Sequence, residues 1–401
     1  MKAYLDNGAT TMVDPDVVEV MMPYFSIKYG NAGSLHGLGK DAGDAVRKAR
    51  ATIAEAINAD PDEIIFTSGG TESDNIALKE AAFANQGKGN HIITTKIEHP
   101  AVLETCRFLE TMGFSVTYLD VDKEGFVDVE AFRRALRPET ILASVMHANN
   151  EIGTIEPISE IGSICREKGI IFHTDAVQSF TKVPIDTKAM NIDLMSLSAH
   201  KIHGPKGTGA LFVRKGTKLG TLMHGGGQEK RLRSGTENVP GIVGFAKAVE
   251  IAAKSHEHIA RMTGLRDRLG SGLLAIPGSS LNGAEPESGK RLCNNINVSF
   301  KYVEGEAMLV HLDLAGVAVS TGSACSQKSL KPSHVLLAIG MARKDSHGTL
   351  RLTLSRFTTE EEVDYTVEAL KGIVEKLREM SPLNKETIKG YDDIDLKKRG
   401  R

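Results

Sequence analysis

Short, nearly continuous apolar runs alternate along the first half of the chain with segments in which apolar residues recur every three or four positions. The runs EIIFTS, HIITT, FSVTYLD, TILASVM, IIFHTDA, LMSLSAH and TGALFVR have the length and β-branched content of buried strands. Between them, AVRKARATIAEAI, VEAFRRALR and ISEIGSICREKG repeat at helical spacing, and DPDVVEVMMPYF predicts a helix capped by Asp14 with Pro15 at its first position. Another helix is predicted to begin near Pro100, and another to run from about Pro240 to Gly264. Such alternation predicts an α/β fold, a mostly parallel sheet of seven strands with helices on both faces. A second, smaller α/β unit follows, with strands NNINVSF, GVAVST and TLRLTLS, helices EGEAMLVHLDLA and PSHVLLAIG, and a last helix from Thr359 to about Met380. The expected division is an arm over residues 1–15 packing with the small domain, a large domain over 16–260, a small domain over 261–380 and a charged tail over 381–401.

Composition narrows the function classes. With 401 residues the chain can bury a large core, and a formal net charge of -2 gives no electrostatic footprint for nucleic acid or an anionic membrane. No apolar stretch is long enough to span a bilayer and MKAYLDNGATT turns polar too early for a signal peptide, so a cytoplasmic protein is expected. Cys106, Cys165, Cys293 and Cys325 form no C-x-x-C pair, which argues against a disulfide framework or a zinc finger. His256-Glu257-His258 lacks the spacing of a helical metal site.

The candidate chemistry gathers where strands end. Lys201 closes the run LMSLSAHK beside His200 and His203, a setting for an amine that condenses with a carbonyl; its bland alternative is a solvated loop lysine. Asp175, with Gln178 close behind, ends the preceding strand, so both residues can reach one crevice at the carboxyl edge of the sheet. A pyridoxal cofactor needs that combination, an amine for its aldehyde and a carboxylate for its ring nitrogen. SGGTESDN offers free backbone N–H groups to a phosphate at a helix start, read here as a capping box of Thr71 with Asp74, although strand-Gly-Gly-helix also serves as a tight turn. His99 stands before the helix at Pro100, either as a cap or as a group stacked on a ring. HANNEIG puts His147, Asn149, Asn150 and Glu151 at another strand end. Cys325 sits among Ser, Gly and Ala in STGSACSQKSLKPS, near Lys328 and Lys331, which favour a thiolate. Arg351 interrupts the apolar strand TLRLTLS, either to clamp a carboxylate or to make a structural ion pair.

SGGTESDN, EHPAV, HANNEIGT, HTDAVQ, SAHKIHGPKG, RSGTENVP, STGSACS and LRLTLSRFTTEEEVD occur in one order over nearly the whole chain. In that order the sequence resembles the cysteine desulfurases of iron-sulfur cluster assembly, a branch of the fold-type I pyridoxal-phosphate family. The resemblance implies that Lys201 holds pyridoxal 5'-phosphate, Asp175 pairs with its ring nitrogen, Gln178 and Asn149 reach its ring hydroxyl, and His99 stacks on it. It implies phosphate contacts from Gly70, Thr71, Ser198 and His200, and from Thr236 of a second copy in a homodimer. Arg351 with Asn149 would bind the carboxylate of L-cysteine. Cys325 would take the sulfur as a persulfide and pass it to an iron-sulfur scaffold protein or another acceptor, with ligation of a cluster a further role open to this thiol. A selenocysteine lyase, another fold-type I enzyme or an inactive scaffold of the same fold are the alternatives. Asn31-Ala32-Gly33-Ser34 departs from the family's usual Asn-Pro-Ser-Ser.

Overall fold

The computed structural model describes residues 1–253, 256–321 and 332–380. Ala3–Tyr4 form β1. Seven strands follow: β2 (Ile64–Thr67), β3 (His91–Thr95), β4 (Ser115–Leu119), β5 (Thr140–Ser144), β6 (Ile171–Asp175), β7 (Leu194–Ser198) and β8 (Gly209–Val213). They make one sheet in the order β2-β8-β7-β6-β5-β3-β4. β8 is antiparallel to both β2 and β7, and the other neighbours pair in parallel. The reversal follows from the connection: between Ser198 and Gly209 the chain makes only the tight turn Ala199–Lys201, too little for the crossover that a parallel pair requires.

Helices on both faces explain why the strands read as unbroken apolar runs. On one side Phe172, Phe212 and Met195 pack against the helices Gly37–Glu55 and Val239–Ala253. On the other, Ile92, Leu142 and Leu211 meet Ile76, Leu78, Val102 and Cys106. The helix behind β2 runs Gly70–Asn75, through a π turn Ile76–Glu80, into Ala81–Asn85.

A second sheet of β9 (Ser279–Leu281), β10 (Asn295–Phe300) and β12 (Thr349–Thr353) is antiparallel in the order β12-β10-β9. β11 (Val317–Ala318) pairs in parallel with β1, so Ala3 and Leu5 join a core built from Ile296, Leu312, Leu352 and Leu370. The arm then runs on to the large sheet, where Thr11 N–H donates to His200 O and Asp14 N–H to His203 O.

Two expectations change. Instead of one helix from Pro240 to Gly264 there are two, Val239–Ala253 and His256–Leu274; Leu265, Leu269 and Leu273 of the second lie in the second core. GVAVST is reduced to two strand residues, Val317 and Ala318, which pair with β1, while Ser320 makes only an isolated bridge to Arg351 of β12. Among the described residues no helix is long and apolar enough to cross a membrane.

Candidate active site

The arm meets the lysine. Lys201 Nζ donates to Gly8 O at 2.6 Å and Ala9 O at 2.8 Å, and Gln178 Nε2 donates to Gly8 O at 3.0 Å. Gly8 is itself fixed by Thr353 of β12, whose hydroxyl accepts from Gly8 N–H at 2.6 Å; a Cβ on Gly8 would come within 3.0 Å of that side chain. One glycine peptide therefore joins the two sheets at the lysine. No local pattern assigns the arm a chemical part, because DNGATT carries no periodicity and its contacts are with residues far along the chain.

Asp175 ends β6, buried, with Oδ1 accepting from Val177 N–H at 2.8 Å. Burial pushes its carboxyl up to about 6, opposed by that hydrogen bond and by the Lys201 charge. His99 caps the helix Pro100–Thr111 by accepting from Ala101 N–H on Nδ1, which leaves the proton of the neutral ring on Nε2. Burial, with the charge of Lys201 nearby, lowers His99 to about 4, so the imidazole is neutral.

The glycine turn opens a helix start beside Ser198. Gly69, at φ 153° and ψ -176°, precedes the helix from Gly70, and the conformation is open only to glycine. The expected capping box is not formed: Thr71 lies inside the first turn and is exposed, Ser68 N–H is capped by Glu72, and Asp74 turns into the core. Ser198, at the end of β7, is buried and its Oγ has no hydrogen-bond partner among the described residues. A Cβ built on Gly69 would lie 3.9 Å from that oxygen. An unsatisfied hydroxyl facing open backbone N–H groups suits a phosphate. On Gly70 a Cβ would approach Val177 Cγ2 to 2.7 Å. Gly70→Ala is thus expected to cost about 1–3 kcal/mol of stability and to weaken phosphate binding, measurable by denaturant unfolding beside inorganic phosphate titration.

Other expected contacts are placed differently. The His200 ring faces Thr10 Oγ1 at 3.1 Å, toward the arm. Thr236 is exposed, ahead of the helix Val239–Ala253. Asn149 spends its amide on the loop after β3 and on its own turn, donating to Ile97 O at 2.8 Å and Met146 Sδ at 3.4 Å and accepting from Glu151 and Ile152 N–H. Arg351 is buried, with Nη2 on Asp6 Oδ1 at 3.0 Å, Nη1 on Asn150 O at 3.2 Å and Nε unpartnered among the described residues. The structural ion pair weighed for this arginine exists, and it leaves one N–H unspent. Cys325 lies outside the described residues, as do Lys328, Lys331 and the tail 381–401. Its flanks are placed: Ser320 pairs with Arg351 through two backbone hydrogen bonds, and Ser333 caps the helix His334–Ala338 and donates to Glu151.

Sequence reasoning missed Asp6, Gly8, Asp74 and Glu98 as neighbours of the site. Asp74 had a signal: it shares the apolar face of Ala77, Leu78 and Ala81, where a carboxylate needs a reason.

Residues 3–366 match the model of the aminotransferase class-V family, and the chain belongs to it. Within that family it is 55% identical over 381 residues to the cysteine desulfurase IscS of Methanosarcina thermophila, covering 95% of this chain and 94% of that protein. Among solved structures a NifS-like protein superposes with a TM-score of 0.88 at 42% identity, over 94% of this chain and all of that one. One described as SspA in complex with cysteine gives 0.79 at 39%, over 89% of this chain and all of that one.

Proposed function

We propose that this protein is a pyridoxal 5'-phosphate-dependent cysteine desulfurase that converts L-cysteine to L-alanine and retains the sulfur as a persulfide on Cys325. The observation that carries the reading is the convergence of Lys201, Asp175 and Gln178 at the carboxyl edge of the large sheet, beside a glycine-lined helix start with an unsatisfied Ser198 hydroxyl. Bound there, the cofactor supplies an aldehyde that condenses with amines and a ring that accepts the electron pair released at the substrate Cα.

Lys201 would hold the aldehyde, Asp175 the ring nitrogen, Gln178 the ring hydroxyl, and His99 the ring face. Gly70, Thr71, Ser198 and His200 would hold the phosphate, with Thr236 from a second copy. For Asn149 to reach the ring hydroxyl or the substrate it must give up a bond, and the one to Met146 sulfur is the weakest. Arg351 would take the substrate carboxylate, in exchange with Asp6. The Lys201 amine would also carry the substrate Cα proton. The Cys325 thiolate attacks the substrate sulfur, the C–S bond breaks, and cysteine plus enzyme thiol become alanine plus enzyme persulfide. The sulfur goes on to an acceptor of iron-sulfur cluster assembly or tRNA thiolation in the reducing cytoplasm.

Homodimer formation is supported by an exposed apolar cluster, Met12, Val18, Met22, Phe25, Ile27 and Leu35, close in sequence and out of place on a monomer. The test of the function is stoichiometry. Supplied with pyridoxal phosphate, cysteine and a thiol reductant, the protein is expected to turn yellow and release alanine and sulfide in equal amounts. Sulfide without alanine, or a colourless inert protein, refutes the reading.

A further inference from the structure

Behind Asp175 lies a second carboxyl that the proposed chemistry does not use. Asp74 is completely buried beside it, and its Oδ1 has no hydrogen-bond partner among the described residues. The groups around Asp74 are Asp175 at the end of β6, Glu98 after β3, the His173 ring, whose Nε2 lies 3.6 Å from Oδ1, and Ser196 of β7, opposite Asp175 in the sheet. No cation is among them.

His173 Nε2 lies 3.1 Å from Ser196 Oγ and His173 Nδ1 lies 2.8 Å from Ser144 Oγ, so a hydroxyl meets each ring nitrogen. Burial keeps the ring neutral, lowering it to about 3. Asp175, in contrast, has the Val177 N–H and the Lys201 charge. Two neighbouring buried carboxyls, with the one cation beside Asp175, carry a single negative charge.

We propose that Asp74 is a positioning residue that holds a proton, so that the one negative charge of the pair stays on Asp175 facing the cofactor's ring nitrogen. The alternative places a bare anion with an unpartnered oxygen against a neutral imidazole, and forces Asp175 to protonate and lose its hold on a ring cation. Burial and the charges of Asp175 and Glu98 push the Asp74 carboxyl well above its ordinary range, in the same sense. The consequence for the ring rests on the pyridoxal reading; the held proton does not.

The test separates the two. A carboxyl whose folded-state pKa is raised contributes stability below the unfolded value near 4, and loses it as pH rises toward the folded value. Asp74→Asn keeps the neutral shape and escapes that loss. The thermal midpoint of Asp74→Asn minus that of the unmodified full-length chain, both without cofactor, is therefore expected to rise by roughly 5 °C between about pH 5 and about pH 8. A rise under about 2 °C overturns the proposal. If the variant fails to fold, carboxyl-carbon NMR of the unmodified protein labelled with 13C-aspartate decides: one aspartate still protonated at about pH 7.5 supports it, and none overturns it. With cofactor added, Asp74→Asn should bind pyridoxal phosphate within about threefold of the parent, and a loss above about tenfold overturns the assignment of charge. Failure of both proteins to take up cofactor would sink the pyridoxal reading alone and leave the stability and NMR results to judge the proton.

Discussion

Lys201→Ala is expected to abolish turnover of cysteine and leave pyridoxal phosphate bound only reversibly. The amine has two tasks in the proposed reaction, holding the aldehyde and moving the Cα proton. Loss of a positioned acid-base group alone typically costs about 10²–10⁴ in rate, and here the covalent anchor goes with it. Borohydride reduction followed by peptide mass analysis should find the cofactor fixed to the Lys201 peptide of the parent protein and to no peptide of the variant. Residual turnover above roughly one per cent would show that another group moves the proton. The substitution also strips the Lys201 donor from Gly8 O, which keeps Gln178 Nε2, and from Ala9 O. Losing hydrogen bonds to a charged group costs about 1.5–3 kcal/mol, so the arm should loosen and show faster amide exchange over residues 6–11.

Cys325→Ala is expected to stop sulfide release while the bound cofactor keeps its colour. Every group assigned to the cofactor lies on the large sheet, its loops or the arm, and none is within the segment carrying Cys325. The flanks of that segment are held independently of the thiol: Ser320 by Arg351 in β12, Ser333 by its own helix and by Glu151. Removing the sulfur atom therefore removes a nucleophile without disturbing its supports. Sulfide production should fall below roughly one per cent of the parent rate, the scale on which a lost nucleophile acts. Undiminished sulfide with the thiol gone would mean that sulfur leaves without an enzyme persulfide. Cys106, Cys165 and Cys293 are poor substitutes, since all are buried, and burial drives each of their thiols upward, away from the thiolate.

The large sheet is legible in the residues alone because its strands are covered on both faces and its helices on one, so the pattern changes from runs to three-four spacing at each junction. Ligand chemistry at strand ends follows from that arrangement, which is why Asp175 and Lys201 stand out. β8 shows the limit of such reading: its composition predicts a strand, but its reversed direction comes from the short connection at Lys201.

Local sequence was enough to determine the α/β class and most of the strands and to single out the amine, carboxylate and thiol of the proposed chemistry, since each follows from side-chain type at a fixed spacing along the chain. Tertiary structure alone decided what those groups touch. The partners of Lys201, Arg351 and Asp175 are Gly8, Asp6 and Asp74, each more than a hundred residues away or facing across a sheet. Their effects depend on distance and burial, and neither quantity is written in the order of the residues: a buried carboxyl keeps its proton, and a buried guanidinium takes the nearest anion.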